Sequence, residues 1–125
     1  MRRPAYQTDV VAPGTEVCST MSKLAPPANF EGVHAMHPQY AFDSGTSMAA
    51  PFVSGCAALV RQYFCAPPRN HQPSAAVLKA TLINGTKWLS GVDATAAAIG
   101  TPNFHQGHGR VDLATTIPDS GTPLP

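Results

Sequence analysis

Charge is scarce in this chain. Of its 125 residues only 12% are Asp, Glu, Lys or Arg, about half the usual quarter. A small, fully solvated domain carries more, so the composition fits the interior of a larger body better. Eight basic residues against seven acidic ones give a net charge of +1. No basic stripe exists beyond Arg2-Arg3, which argues against nucleic acid as a partner. Cysteine is sparse as well: three residues with no metal-ligand spacing cannot close into a complete disulfide set. Cys56 and Cys65 fall on one expected helix, roughly 13 Å apart at 1.5 Å per residue, too far to bridge. All three read as small buried hydrophobes, and they leave the compartment open.

Long apolar runs are missing too. Met1-Arg2-Arg3 is followed by Pro4, Gln7, Thr8 and Asp9, so no secretory signal is read there. The uncharged stretch Ser44 to Val60 holds three serines, a threonine, two glycines and a proline. At the short end of the spanning range of about 17–25 residues, it reads as a buried helix and not a membrane span. No repeat of solenoid length is present.

What the chain has in quantity is proline and glycine, thirteen and ten residues, which implies many loops between few regular elements. A length of 125 residues allows a single domain at most, or part of a larger one. Asp9-Val10-Val11-Ala12 reads as a short strand stopped by Pro13-Gly14, and Thr15 to Thr20 as a second. Met21 to Tyr40, interrupted by Pro26-Pro27 and Pro38, reads as a surface loop. A helix is expected from about Thr46, as N-cap, to Phe64. It is apolar on every face until Arg61, which places it in the middle of a core. A second helix is expected from Ser74 to Asn84, with Val77, Leu78, Thr81 and Leu82 as its buried stripe and Gly85 just past its end. Asp93 to Ile99 reads as a helical turn or two. Gly109 to Leu113 reads as a tight approach into a short final element, and residues 118–125 as an exposed tail.

Chemistry concentrates in Ser44-Gly45-Thr46-Ser47-Met48-Ala49-Ala50-Pro51. Ser47 stands where the helix begins, so its hydroxyl is exposed and its N–H lies among the unpaired donors of the first turn. That end of a helix favours negative charge and suits the oxyanion formed when a carbonyl is attacked. Pro51 removes the amide that would bond the Ser47 carbonyl, distorting the turn at the nucleophile. A plain N-cap serine is the alternative, but capping does not require the Met-Ala-Ala-Pro that follows.

Gly45 to Pro51, followed by Val53 and Gly55, resembles the nucleophile motif of the subtilisin-like serine proteases nearly letter for letter. Asp9 to Gly14 resembles the strand and turn preceding that motif. Gln106-Gly107-His108-Gly109-Arg110-Val111-Asp112 resembles the Gly-rich passage near the end of the catalytic domain. The likeness spans roughly residues 8 to 116. It implies an α/β fold: the C-terminal portion of a three-layer subtilisin-like domain over residues 1–117, with a parallel sheet and a central buried helix starting at the nucleophile. It implies serine endopeptidase activity on polypeptides, with Ser47 as nucleophile and oxyanion donor and Thr46 supporting it. It also implies a secreted or extracellular location. Structural calcium occurs in the parent family, but no ligand set for it is readable here, and no cofactor is expected.

The departures are equally specific. The family's aspartate, in Asp-Ser/Thr-Gly, its histidine, in His-Gly-Thr, and its oxyanion asparagine all precede the serine. Only 46 residues precede Ser47, and none of those motifs is among them. The expectation is therefore a fragment whose partner is the N-terminal part of the catalytic domain, inactive by itself. The competing reading is an inactive remnant or binding module. An esterase elbow is set aside because Ala49 occupies its last glycine position. Asp43-Ser44-Gly45 and Asp119-Ser120-Gly121 spell the aspartate signature, but no clear strand delivers Asp43 and Asp119 lies in the tail; both read as turn residues. His34 and His37 precede Ser47 closely enough to be weighed as a general base, with idle loop histidines the plainer reading. His108-Gly109 lacks the threonine of the histidine motif, and His71 and His105 have no supporting context. The five histidines do not form a zinc site. Asn84-Gly85-Thr86 matches a glycosylation acceptor only as a triplet common by chance.

Overall fold

The computed structural model describes residues 8–91 and 102–117. The expected turns over Asp93 to Ile99 and the tail 118–125 lie outside them. The chain divides into two compact units, Pro13–Phe52 and Met1–Ala12 with Val53–Pro125.

The first unit is built on a three-stranded antiparallel sheet. Its strands are β1 (Val17–Thr20), β2 (Gly32–Val33) and β3 (Tyr40–Asp43), in the order β1-β3-β2. Val17 pairs with Asp43 and Thr20 with Tyr40, while Gly32 pairs with Phe42 on the other side. Central β3 buries Ala41, 5% exposed, between half-exposed neighbours. The span read as a surface loop thus contains β2 and a short 3-10 turn at Pro27–Asn29. A two-residue Gly-Val strand has no alternation to betray it.

Helix α1 (Thr46–Cys65) starts in this unit and continues into the other, unbroken at Pro51. Helices α2 (Ala75–Asn84) and α3 (Leu113–Thr116) follow. Ser74 caps α2, accepting the Val77 N–H at 3.3 Å. Gly85 ends it, donating to the Thr81 carbonyl. Of the expected stripe Leu82 is buried, Leu78 and Thr81 are half-buried, and Val77 is exposed. Asp112 caps α3 through the Ala114 N–H at 3.0 Å and pairs with Lys87 at 3.2 Å. The Lys87 hydrogen bond is the chief cause holding the Asp112 carboxyl below its ordinary value.

The strand expected at Asp9–Ala12 is reduced to a single parallel bridge between Val11 and Arg110. Val11 donates to the Gly109 carbonyl and Val111 donates back to Val11, both at 3.0 Å. Arg110 also exchanges two 2.8 Å bonds with Lys87. Parallel pairing needs a long crossover, and α1 and α2 lie between Val11 and Arg110 in the chain; the ladder they bring together is one residue deep. Gly107 makes the approach possible: at φ 58° a Cβ there would overlap the Thr8 and Asp9 carbonyls. Gln106, 2% exposed, extends the pairing with its side chain. Its amide accepts the Leu89 N–H at 2.8 Å and donates to the Leu89 carbonyl at 3.0 Å, as a strand neighbour would.

The α/β class stands, with two details corrected among the described residues: the sheet is antiparallel, and α1 is not buried. Val60 is its one fully buried residue, while Phe52 and Leu59 are each 47% exposed. Within the second unit, Val10, Val53, Ala57, Leu78, Leu82 and Ile83 line an open apolar cleft of about 390 Å³, beside the Asp9–Lys79 ion pair at 2.6 Å.

Candidate active site

Ser47 is reached from β3 through Asp43, Ser44 and Gly45. The Gly45 carbonyl accepts the first helical amides, Met48 at 3.1 Å and Ala49 at 3.3 Å. Gly45 therefore occupies the N-cap position expected of Thr46, and Thr46 and Ser47 are the first two helical residues. The cap is a glycine by conformation: its φ of 150° is one that side chains rarely adopt, while a Cβ there would meet nothing closer than 3.9 Å. Gly45 donates its N–H to the Gly14 carbonyl at 2.7 Å. A Cβ on Gly14 would lie 2.8 Å from the Gly45 oxygen and 3.1 Å from the Ala49 Cβ.

Ser47 is exposed. Its hydroxyl makes no hydrogen bond among the described residues, and neither do the N–H groups of Thr46 and Ser47. An unengaged hydroxyl beside two unengaged amides at the positive end of a 20-residue helix can attack a carbonyl and receive the resulting oxyanion. Among the described residues no base is hydrogen-bonded to it.

The link ahead of the helix is held more tightly than the sequence suggested. Asp43 ends β3, so a strand does deliver it, contrary to expectation. Its Oδ1 accepts the Ser44 N–H at 2.9 Å, a turn role. Ser44 Oγ donates to Glu31 Oε2 at 2.7 Å and accepts the Glu16 N–H at 2.9 Å. Glu16, Glu31 and the role of Ser44 escaped sequence reasoning; bonds 13 and 28 positions apart leave no local pattern.

Among the described residues no histidine is hydrogen-bonded to Ser47. His34 stacks on Phe42 with ring centroids 5.9 Å apart and meets His37 at 5.3 Å. Among the described residues its Nδ1 is buried without a partner. The described contacts of His71 and His105 lie elsewhere: His71 packs edge-on against Phe64, and His105 bonds Asn103. His108 is engaged through its backbone, donating to Asp9 and accepting from Thr86. The three cysteines are free. Among the described residues no group of three metal-ligating side chains is present, and no helix is long and apolar enough to cross a membrane. Asp119 lies outside the described residues.

The family model of the subtilases matches residues 2–109, most of the chain. The chain belongs to the subtilase family. It is 33% identical over 109 residues to a subtilisin-like protease of Arabidopsis thaliana, covering 87% of this chain and 14% of that protein. An extracellular serine protease of Serratia marcescens is 38% identical over 80 residues, 58% of this chain and 8% of its own length. Among solved structures, the CspB protease of Clostridium perfringens superposes with a TM-score of 0.62 at 30% identity, over 88% of this chain and 19% of that one. The fold is therefore subtilisin-like, and this subtilase sequence spans only about a seventh of the plant relative's length.

Proposed function

We propose that Ser47 is the nucleophile of a serine endopeptidase and that its activating residues come from sequence outside these 125 residues. Residues 1–117 would then be the C-terminal part of the peptidase domain, its partner the N-terminal part of that domain and its substrate a polypeptide. The observation that carries this reading is Ser47 itself: exposed, unengaged, and second in α1 beside free amides. The chemistry follows. Ser47 Oγ attacks the peptide carbonyl while a base takes its proton, and the oxyanion rests on the helix N-terminus. Collapse expels the amine, protonated by that base, and leaves an acyl-serine. Water then attacks the ester to release the acid and restore the hydroxyl. By analogy with the Serratia protease, the protein would act outside the cell.

One observation favours a second reading, an inactive remnant or binding module: Ser47 has no base in hydrogen-bond contact among the described residues. A serine without its base loses several orders of magnitude in rate. The two readings separate on treatment of the full-length protein with a fluorophosphonate probe. The peptidase reading expects labelling at Ser47 that Ser47→Ala abolishes. Labelling no different from that variant supports the inactive alternative.

A further inference from the structure

We propose that Glu31 is a positioning residue for Ser47, acting through Ser44; the proposal rests on Ser47 being the nucleophile. Ser44 lies three residues before Ser47 in the link between β3 and α1. Its hydroxyl is fixed in both senses, the proton given to the Glu31 carboxylate at 2.7 Å and a lone pair taken by the Glu16 N–H at 2.9 Å. The two partners stand at the starts of different strands. Glu31 precedes β2, and its own N–H bonds the Phe42 carbonyl of β3 at 3.0 Å. Glu16 precedes β1 at φ 49°, an uncommon conformation outside glycine.

The carboxylate, hydroxyl and amide therefore tie the beginnings of β1 and β2 to the residue just past the end of β3. Two further bonds act on the same link: Ser44 N–H to Asp43 at 2.9 Å and Gly45 N–H to Gly14 at 2.7 Å. Four hydrogen bonds on two residues set where α1 begins, and hence where the Ser47 hydroxyl stands. Removing the carboxylate leaves the Ser44 proton to solvent and frees its rotamer. Displacements of about 1 Å at a reacting group can cost on the order of 10²-fold in rate.

The test compares Glu31→Ala, Ser44→Ala and Glu31→Gln by two readouts. Amide hydrogen exchange in the full-length protein should accelerate about tenfold at Glu16 and Gly45 in the two alanine variants. Exchange at Met21, whose N–H bonds Gln39 at the far end of the β1–β3 pair, should not change. In the full-length protein, fluorophosphonate labelling of Ser47 should slow about tenfold or more in the alanine variants. Glu31→Gln keeps an acceptor oxygen and should restore both readouts to within about threefold. Unchanged exchange in Glu31→Ala overturns the proposal, as does faster exchange with an unchanged labelling rate. Acceleration at Met21 as well would mark general loosening and also overturn it. A wild-type protein that takes up no probe sinks the nucleophile reading, and the positioning role with it, whatever exchange shows.

Discussion

Replacing Gly14 by alanine should loosen the start of α1, and the structure sets the size of the effect. The new Cβ would stand 2.8 Å from the Gly45 carbonyl oxygen and 3.1 Å from the Ala49 Cβ. The first distance is about 0.6 Å short of ordinary contact, and the obstructing atom is backbone, so no side-chain rotation relieves it. That oxygen also accepts the Met48 and Ala49 amides, and the neighbouring Gly45 N–H bonds Gly14 at 2.7 Å. Overpacking of this kind costs about 1–3 kcal/mol. The lower entropy of an unfolded alanine returns about 0.4–1 kcal/mol. The midpoints of the two ranges leave a loss of about 1.3 kcal/mol, a roughly tenfold gain in opening. Amide exchange at Gly45 reads it directly, with Gly32→Ala as control, since nothing lies within 4 Å of a Cβ there. Exchange at Gly45 equal to wild type in Gly14→Ala would refute the close approach.

The remaining predictions concern the helices. Gly55→Ala, in the interior of α1 with nothing within 4 Å of the added carbon, should stabilise the helix by about 0.5–1 kcal/mol, seen as slower exchange of the flanking amides. Ser74→Ala should cost about 1 kcal/mol through loss of the Val77 cap, seen as faster exchange in the first turn of α2. Asp112 is held below its ordinary value, so its contribution is present above the unfolded carboxylate's pKa, about 4, and is lost as pH falls through the lower folded value. Exchange at Ala114, corrected for intrinsic pH dependence, should therefore rise on acidification below about pH 4 in wild type, and Asp112→Asn should remove that rise.

Local chemistry was legible and distant chemistry was not. Ser74 and Gly85 announce α2 because a cap and a stop act within one turn, and both stand where expected. The Gly45 to Pro51 run placed the start of α1 for the same reason, although the cap proved to be Gly45. At Gly45 the φ of 150° and the bond to Gly14, 31 positions earlier, fix the chain, and no local pattern records that approach. The short β2, the one-residue parallel bridge at Val11 and the Glu31–Ser44 bond are likewise products of long-range pairing. The all-round apolar pattern of α1 reads as burial. It shows instead a helix whose faces are only partly covered by the described elements, with Phe52 and Leu59 in view.

The central claim, that Ser47 is poised for acylation, is tested most directly by mapping the site of fluorophosphonate attachment in the full-length protein by peptide mass spectrometry. The account predicts one adduct, on Ser47, absent after heat denaturation and absent in Ser47→Ala. An adduct on another residue, or none in the folded protein, would contradict it.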